Sequence, residues 1–178
     1  MKNTFDYIVI GAGSGGAVVA SRLAENKNLK VLILEAGPSD VAEEIQSPAQ
    51  WPLIWNTKRD WAYHTVPQEA AGNTTKYWPR GKTLGGSSAI NGMIYIRGAK
   101  EDYDNWAYKG CYGWDYENVL PYFKKSEAYE LGESETHGAD GPMAVTKIKE
   151  PNPISIAAIN GCKELGYPTT DDFNTNIL

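Results

Sequence analysis

Residues 7–16 have the sequence Tyr7-Ile8-Val9-Ile10-Gly11-Ala12-Gly13-Ser14-Gly15-Gly16. The first four residues are apolar and typical of a buried strand, and the glycine-rich part that follows predicts a tight turn. The next segment, residues 17–25, contains neither glycine nor proline, and its apolar residues suit a helix. The sequence therefore predicts a strand, a glycine turn and a helix in direct succession.

Three glycines of this turn have the spacing of a G-x-G-x-x-G dinucleotide-binding motif. Gly11 is expected to permit the tight turn, Gly13 to let a pyrophosphate approach the backbone, and Gly16 to let helix and strand pack closely. The start of the helix would offer unpaired N–H groups and the positive end of its dipole to the phosphates. A turn at residues 26–28 and a second buried strand at residues 30–35 complete a predicted βαβ unit.

An acidic residue follows at the distance expected for ribose binding. Glu35 lies 19 residues after Gly16, about where a dinucleotide fold places the carboxylate that binds ribose hydroxyls. Its negative charge would repel a 2′-phosphate, so NADP is disfavoured. NAD and FAD both carry an adenosine ribose and a pyrophosphate, and this unit alone does not distinguish them. The alternative without a ligand is a βαβ unit with an incidental glycine turn and a surface glutamate.

Composition and charge exclude several other classes of protein. The 178 residues are 42% hydrophobic and 22% charged, as in a globular protein, and the net charge of −5 comes without a basic patch, so no nucleic-acid binding is expected. Cys111 and Cys162 fit neither a metal spacing nor a disulfide framework, which favours free thiols and no metal site. Without a signal peptide or a run of membrane-spanning length, a cytoplasmic protein is expected.

Regular patterning fades between residues 39 and about 80. Prolines and a Gly-Asn pair forbid a long helix there, although residues 41–46 suit a short one. Aromatic residues are concentrated in this segment, which argues against disorder; they are Trp51, Trp55, Trp61, Tyr63, Tyr77 and Trp78. Two interpretations stay open: an ordered excursion that covers a cofactor, and aromatic packing between domains.

A second glycine-rich stretch has the sequence Arg80-Gly81-Lys82-Thr83-Leu84-Gly85-Gly86-Ser87-Ser88-Ala89-Ile90-Asn91-Gly92-Met93. Its glycines indicate a backbone brought close to another group. Ser87 and Ser88 are predicted N-cap residues of a short helix that contains Ile90 and Asn91. Such a turn would suit a second part of the same extended cofactor, and the alternative is a loop-rich corner without a ligand.

The remaining chain predicts short elements separated by loops. Helices are expected at residues 101–106, at residues 115–120 with Asp115 as N-cap, and at residues 153–165 with Gly166 ending the helix; a strand is expected at residues 143–148. Pro121 should kink the second helix or start a new one, and residues 130–139 should form a polar loop. His64 and His137 fall in predicted loops, where spacing suggests no acid partner, so both are expected to be structural or exposed.

From residue 81 to residue 104 the sequence resembles the first signature of the glucose–methanol–choline (GMC) flavoprotein oxidoreductases. The matching residues are Gly81, Lys82, Leu84, Gly85, Gly86, Ser87, Ser88, Ile90, Asn91, Tyr95, Gly98 and Asp104. The βαβ unit with Glu35-Ala36-Gly37 is similar to the family's FAD-binding start. Further residues similar to the family are Trp106, Trp114, Leu120-Pro121-Tyr122-Phe123-Lys124-Lys125, Glu127, Gly138-Ala139-Asp140-Gly141-Pro142 and Asp172-Phe173-Asn174.

The resemblance implies an α/β, Rossmann-like FAD-binding domain over residues 1–140, including the excursion at about residues 39–80, and the beginning of an α+β substrate domain over residues 141–178. It also implies FAD as the cofactor. Some members carry a histidine, bonded covalently to the flavin, where this chain has Ile90, so the FAD is expected to be non-covalent. The implied cofactor-binding residues are Gly11, Gly13, Ser14, Gly15, Gly16, Glu35, Ala36, Arg80, Gly81, Thr83, Gly85, Gly86, Ser87, Asn91, Gly92 and Met93.

The implied reaction is oxidation of the CH–OH group of an alcohol, choline-like or aliphatic, with FAD as hydride acceptor. The family's base is a histidine near the end of a much longer chain, so no catalytic residue is expected within these 178 residues. The polar segment at residues 171–176 has no domain-ending pattern, and the chain is interpreted as an N-terminal part that is inactive alone. Oxygen, a quinone or another carrier could reoxidise the flavin. The alternatives are an FAD-containing lyase of the same family and a non-catalytic dinucleotide-binding fragment.

Overall fold

The computed structural model describes residues 4–175, so the predicted polar segment at residues 171–176 extends beyond the described residues at Asn176. The chain forms two compact units that divide between Ile94 and Tyr95. Within the described range, no helix combines the length and the apolar character needed to cross a membrane. The domain boundary expected after residue 140 stays a prediction.

The first unit begins with the predicted βαβ arrangement. Strand β1 spans Tyr7–Ile10, helix α1 spans Ser14–Ala24, and strand β2 spans Val31–Leu34. The two strands pair in parallel, with Tyr7 opposite Val31 and Ile10 opposite Leu34. Parallel pairing brings the carboxyl ends of both strands to one edge, where Gly11 and Glu35 follow them.

The glycine turn between β1 and α1 has the geometry that its spacing predicts. Gly11 has a φ of +92°, a left-handed conformation that costs glycine little. A Cβ atom on Gly16 would lie 1.9 Å from the carbonyl oxygen of Gly11, so only glycine lets α1 approach the strand this closely. The expected roles of the first and third glycines are confirmed.

The excursion after β2 is ordered but contains only short elements. They are helix α2 (Glu43–Gln46), strand β3 (Tyr63–His64), strand β4 (Tyr77–Trp78) and 3-10 turns at Trp51–Ile54 and Glu69–Ala71. Strands β3 and β4 pair antiparallel. His64 therefore lies in a strand rather than in the predicted loop, because the ladder with β4 is formed by residues distant in sequence.

Asp60 fastens the excursion together. Its carboxylate accepts hydrogen bonds from the backbone N–H groups of Asn56, Ala62 and Arg80, at 3.0, 3.0 and 2.9 Å, and from the Tyr77 hydroxyl. Burial acts to raise the pKa of Asp60, but these hydrogen bonds to the charged form outweigh it and lower the pKa below its usual value. The ionised carboxylate thus ties both ends of the β3–β4 hairpin.

The second glycine stretch forms a 3-10 turn at Gly86–Ala89, preceded by Gly85. The prediction that Ser87 and Ser88 cap a helix containing Ile90 and Asn91 is wrong. Gly85 and Gly86 have φ values of +89° and +57°, so the turn starts at the glycines, where the backbone approaches its neighbour most closely. Both serines lie inside the turn, and Ile90 and Asn91 follow it.

The second unit contains helices α3 (Lys100–Tyr108), α4 (Tyr116–Ser126) and α5 (Pro153–Glu164), and strands β5 (Glu127–Tyr129) and β6 (Met143–Val145). The strands β5 and β6 pair in parallel, with Glu127 opposite Met143. Every element predicted after residue 100 is present, although the predicted strand at residues 143–148 ends at Val145.

Helix α4 confirms one end prediction and corrects another. The Asp115 side chain accepts a hydrogen bond from the backbone N–H of Asn118, as an N-cap does. Pro121 neither ends this helix nor starts a new one; it lies inside α4, where its ring nitrogen cannot bond to the carbonyl of Glu117. Gly166, with a φ of +82°, follows α5 as predicted.

Candidate functional site

A groove of about 730 Å³ lies in the first unit at the carboxyl ends of β1 and β2. The crevice at these strand ends is where open α/β sheets bind their ligands. The groove is lined by Ile10, Gly11, Gly13, Ser14, Leu34, Glu35, Ala36, Trp61, Tyr63, Arg80, Gly81, Gly86 and Ser87. The two glycine stretches, distant in sequence, therefore meet at one site, as the sequence predicted.

The start of helix α1 opens into this groove. Within the described residues, no side chain caps the helix, because its N-cap residue is Gly13, and no acidic residue lies in its first turn. The first backbone N–H groups of a helix lack intrahelical partners and carry partial positive charge. An anionic group such as a pyrophosphate fits this end of the groove.

The Glu35 carboxylate is held in a fixed orientation on the β2 side of the groove. Its Oε2 accepts from the backbone N–H of Ala12 at 2.7 Å, and its Oε1 accepts from the backbone N–H of Gly37 at 2.9 Å. A carboxylate has about four lone-pair sites, so two acceptor positions remain for further donors. The carboxylate is positioned by backbone groups and can still accept hydrogen bonds from a diol.

The second glycine stretch packs directly against the first. The N–H of Gly85 donates to the carbonyl of Ala12 at 2.9 Å, and a Cβ atom on Gly86 would lie 2.7 Å from the Cα of Gly13. Thr83 is fully buried, and its hydroxyl donates to the carbonyl of Pro38 at 2.9 Å. Close backbone contact explains why glycine occupies these positions.

Seven predicted cofactor-binding residues do not line the groove: Gly15, Gly16, Thr83, Gly85, Asn91, Gly92 and Met93. Three of these, Gly16, Thr83 and Gly85, hold the walls together through the contacts described above. Asn91 accepts a hydrogen bond from the backbone N–H of Met93 at 2.9 Å, within the segment that follows the 3-10 turn. A role of these seven residues in cofactor binding stays a prediction.

Four groove residues were not predicted. Ile10 and Leu34 are the last residues of β1 and β2, and the rule that ligands bind at strand ends could have identified them. Trp61 and Tyr63 belong to the aromatic segment that the sequence singled out, but nothing in the sequence showed which aromatic residues face the groove. Their position depends on the hairpin of β3 and β4.

A buried polar cluster lies in the second unit. The fully buried Glu127 accepts from Arg97 Nη2 at 2.7 Å, and its Oε1 lies 2.9 Å from His137 Nδ1. On the other side of the imidazole, Asp172 Oδ2 lies 2.9 Å from Nε2 but outside hydrogen-bond geometry. The prediction that His137 has no acid partner is wrong, because its partners are distant in sequence.

Tyr129 completes this cluster. Its ring stacks on the imidazole of His137, with centroids 4.1 Å apart, and its hydroxyl donates to Asp172 Oδ2 at 3.4 Å. Burial, together with the negative charge of Asp172, raises the pKa of Tyr129 above its ordinary value. Among residues 4–175 no group of histidine, cysteine or acidic side chains has an arrangement that could hold a metal ion. The cluster therefore supports a structural role.

A comparison with known families matches residues 5–177 to the GMC oxidoreductase model. The chain belongs to the GMC oxidoreductase family. The match covers both glycine stretches and the buried cluster of the second unit. GMC oxidoreductases are FAD-binding flavoproteins, so the α/β, Rossmann-like fold and the family membership expected from the sequence are confirmed.

Individual GMC relatives are similar over nearly the whole chain. The mitochondrial choline dehydrogenase of Mus musculus is 42% identical over 97% of this chain and 30% of its own length. The oxygen-dependent choline dehydrogenase of Escherichia coli K12 is 48% identical over 96% of this chain and 32% of its own length. The crystal structure of pyridoxine 4-oxidase from Mesorbium loti matches with a TM-score of 0.90 and 32% identity, over 97% of this chain and 34% of that chain. This GMC chain thus spans about a third of the length of these relatives.

Proposed function

We propose that this chain is the FAD-binding part of an oxidoreductase that oxidises the CH–OH group of an alcohol by hydride transfer to FAD. The observation that carries the proposal is the groove, in which an uncapped helix start and a backbone-positioned carboxylate lie at the ends of two parallel strands. These two features fit the pyrophosphate and the adenosine ribose of one dinucleotide.

The chain's own residues would bind and orient the cofactor. Gly13 and Ser14 would present backbone N–H groups to the pyrophosphate, and Glu35 would accept hydrogen bonds from the ribose hydroxyls. The close packing of Gly86 on Gly13 would keep the second glycine stretch beside the phosphates. FAD supplies the hydride-accepting chemistry when bound, and Ile90, which has no nucleophilic atom, would leave it non-covalent.

A choline-like or aliphatic alcohol is the substrate class we propose, because the choline dehydrogenases named above are similar over nearly the whole chain. No histidine lines the groove within the described residues, and His137 is buried against carboxylates in the second unit. We therefore expect the base that removes the hydroxyl proton to lie outside these 178 residues. The chain alone would then bind FAD without oxidising alcohols.

The proposal predicts that Glu35→Gln weakens FAD binding by roughly ten- to a hundredfold. Hydrogen bonds that involve a charged group are worth about 1.5–3 kcal/mol, and each 1.4 kcal/mol is about tenfold in affinity. The measurement is calorimetric titration of the full chain with FAD. Because glutamine also replaces one of the two backbone-positioning acceptors, unfolding without FAD is followed in parallel.

The matched control is Glu44→Gln, which removes an equal charge from an exposed position in α2. This variant should bind FAD as the wild-type chain does. If both variants keep wild-type affinity, Glu35 is a surface carboxylate and the assignment of this groove to FAD fails.

A further inference from the structure

Two aromatic rings stand on the wall of the groove. Trp61 and Tyr63 line it, and their rings are almost parallel, with an interplanar angle of 7° and centroids 5.9 Å apart. Both remain substantially exposed, at 41% and 51%. Single exposed aromatic residues are common on protein surfaces, but a pair at a ligand groove offers a flat apolar surface to a planar group.

The Trp61 indole is held in place from two sides. Its backbone N–H donates to the carbonyl of Arg80 at 2.8 Å, and the Lys82 ammonium lies 4.5 Å from the indole centroid. The residue before it is Asp60, whose carboxylate ties the ends of the hairpin. Because these contacts fix the backbone and one neighbour of the ring, little motion has to be lost when a ligand stacks on it.

The position of Trp61 identifies the end of the groove that it serves. Lys82, its neighbour, packs on Gly37, where an added Cβ atom would lie 2.0 Å from the Lys82 carbonyl oxygen. The Arg59 side chain donates to the carbonyl of Ser39. Trp61 therefore lies beside the segment that directly follows Glu35, rather than beside the helix start alone.

We infer that Trp61 stacks on the adenine of the dinucleotide whose ribose is bound by Glu35. This inference rests on the proposed function, since it assumes that Glu35 binds the adenosine ribose. The adenine is joined to that ribose and therefore extends from Glu35 toward the segment after β2, where Trp61 lies. An indole presents a large π-face, and aromatic stacking of this kind tolerates any base.

The test uses the full chain and two probes that separate the halves of FAD. ADP carries the adenine, ribose and pyrophosphate, and FMN carries the flavin ring without adenine. Trp61→Ala should bind ADP and FAD roughly tenfold to a hundredfold more weakly and leave FMN binding unchanged. Trp61→Phe, which keeps a ring, should lose much less. Trp78→Ala is the matched control, because Trp78 is similarly exposed in β4 but does not line the groove.

Several results would overturn the inference, and they can be told apart. If Trp61→Ala weakens FMN instead of ADP, the indole contacts the flavin; if it weakens neither probe, it contacts no ring. Should Trp61→Ala fail to fold, the fluorescence difference between wild type and Trp61→Phe reports on this indole alone, and ADP should quench it. A wild-type chain that folds but binds neither ADP nor FAD refutes the proposed function itself, independently of any Trp61 variant.

Discussion

Gly15 and Gly16 are neighbours in α1, but their surroundings differ sharply. A Cβ atom on Gly16 would lie 1.9 Å from the Gly11 carbonyl oxygen, whereas a Cβ atom on Gly15 meets nothing within 4 Å. Backbone cannot move aside as the end of a flexible side chain can. We therefore expect Gly16→Ala to lower the free energy of unfolding by about 1–3 kcal/mol or more.

Gly15→Ala is the control for this prediction, since the same substitution one residue earlier adds no contact. Alanine is favoured over glycine within helices, so this variant should be as stable as the wild type or slightly more stable. Both are measured by urea unfolding in the absence of FAD. Equal stability of the two variants would show that α1 does not pack on the turn as described.

At the scale of elements, the β5–β6 pair depends on the buried carboxylate of Glu127. It neutralises Arg97, whose side chain is 3% exposed, and contacts His137. Removing one member of a buried ion pair leaves a charge without compensation, which costs about 3–5 kcal/mol. Glu127→Gln should therefore destabilise the second unit strongly, and amide hydrogen exchange in β5 and β6 should accelerate.

The comparison variant for Glu127 is Glu133→Gln. Glu133 also pairs with a cation, Lys124, at 3.3 Å, but its side chain is 71% exposed. Exposed pairs contribute about 0–1 kcal/mol, so exchange in β5 and β6 should change little. Similar exchange rates in both variants would argue that the cluster around Glu127 does not support these strands.

The sequence predicted those elements whose signals are local. Strand β1, the turn at Gly11 and helix α1 follow one another directly, and the same stretch contains the groups that form one end of the groove. The meeting of Gly86 with Gly13 was predicted only as a likely use of glycine, because the geometry depends on the whole excursion between them. The N-cap role of Ser87 and Ser88 failed because the tight glycine backbone overrode serine's capping preference.

Pairings between distant residues could not be predicted in the same way. Glu127 and Asp172 converge on His137 only because β5 pairs with β6 and the segment around residue 172 lies alongside; no spacing encodes this. Trp61 faces the groove because of the ladder between β3 and β4, which are two residues each. Short strands leave little alternating pattern, so their register cannot be read from composition.

On the scale of the whole molecule, apolar side chains remain exposed on the elements that form the groove. Helix α1 buries no residue, and Ile10 at the end of β1 is 86% exposed. Parallel sheets are normally covered on both faces, and the relatives are about three times as long as this chain. We propose that further polypeptide covers these surfaces in the full-length protein.

The most direct test of the account is a titration of the folded 178-residue chain with FAD and, separately, with NAD, followed by acid denaturation. The groove, with Glu35 and the start of α1, predicts that FAD binds and that NAD at the same concentration does not displace it. Acid should then release all the flavin and leave a colourless polypeptide, because Ile90 offers no atom for a covalent bond. A chain with native circular dichroism that binds NAD tightly and takes up no FAD would contradict the account.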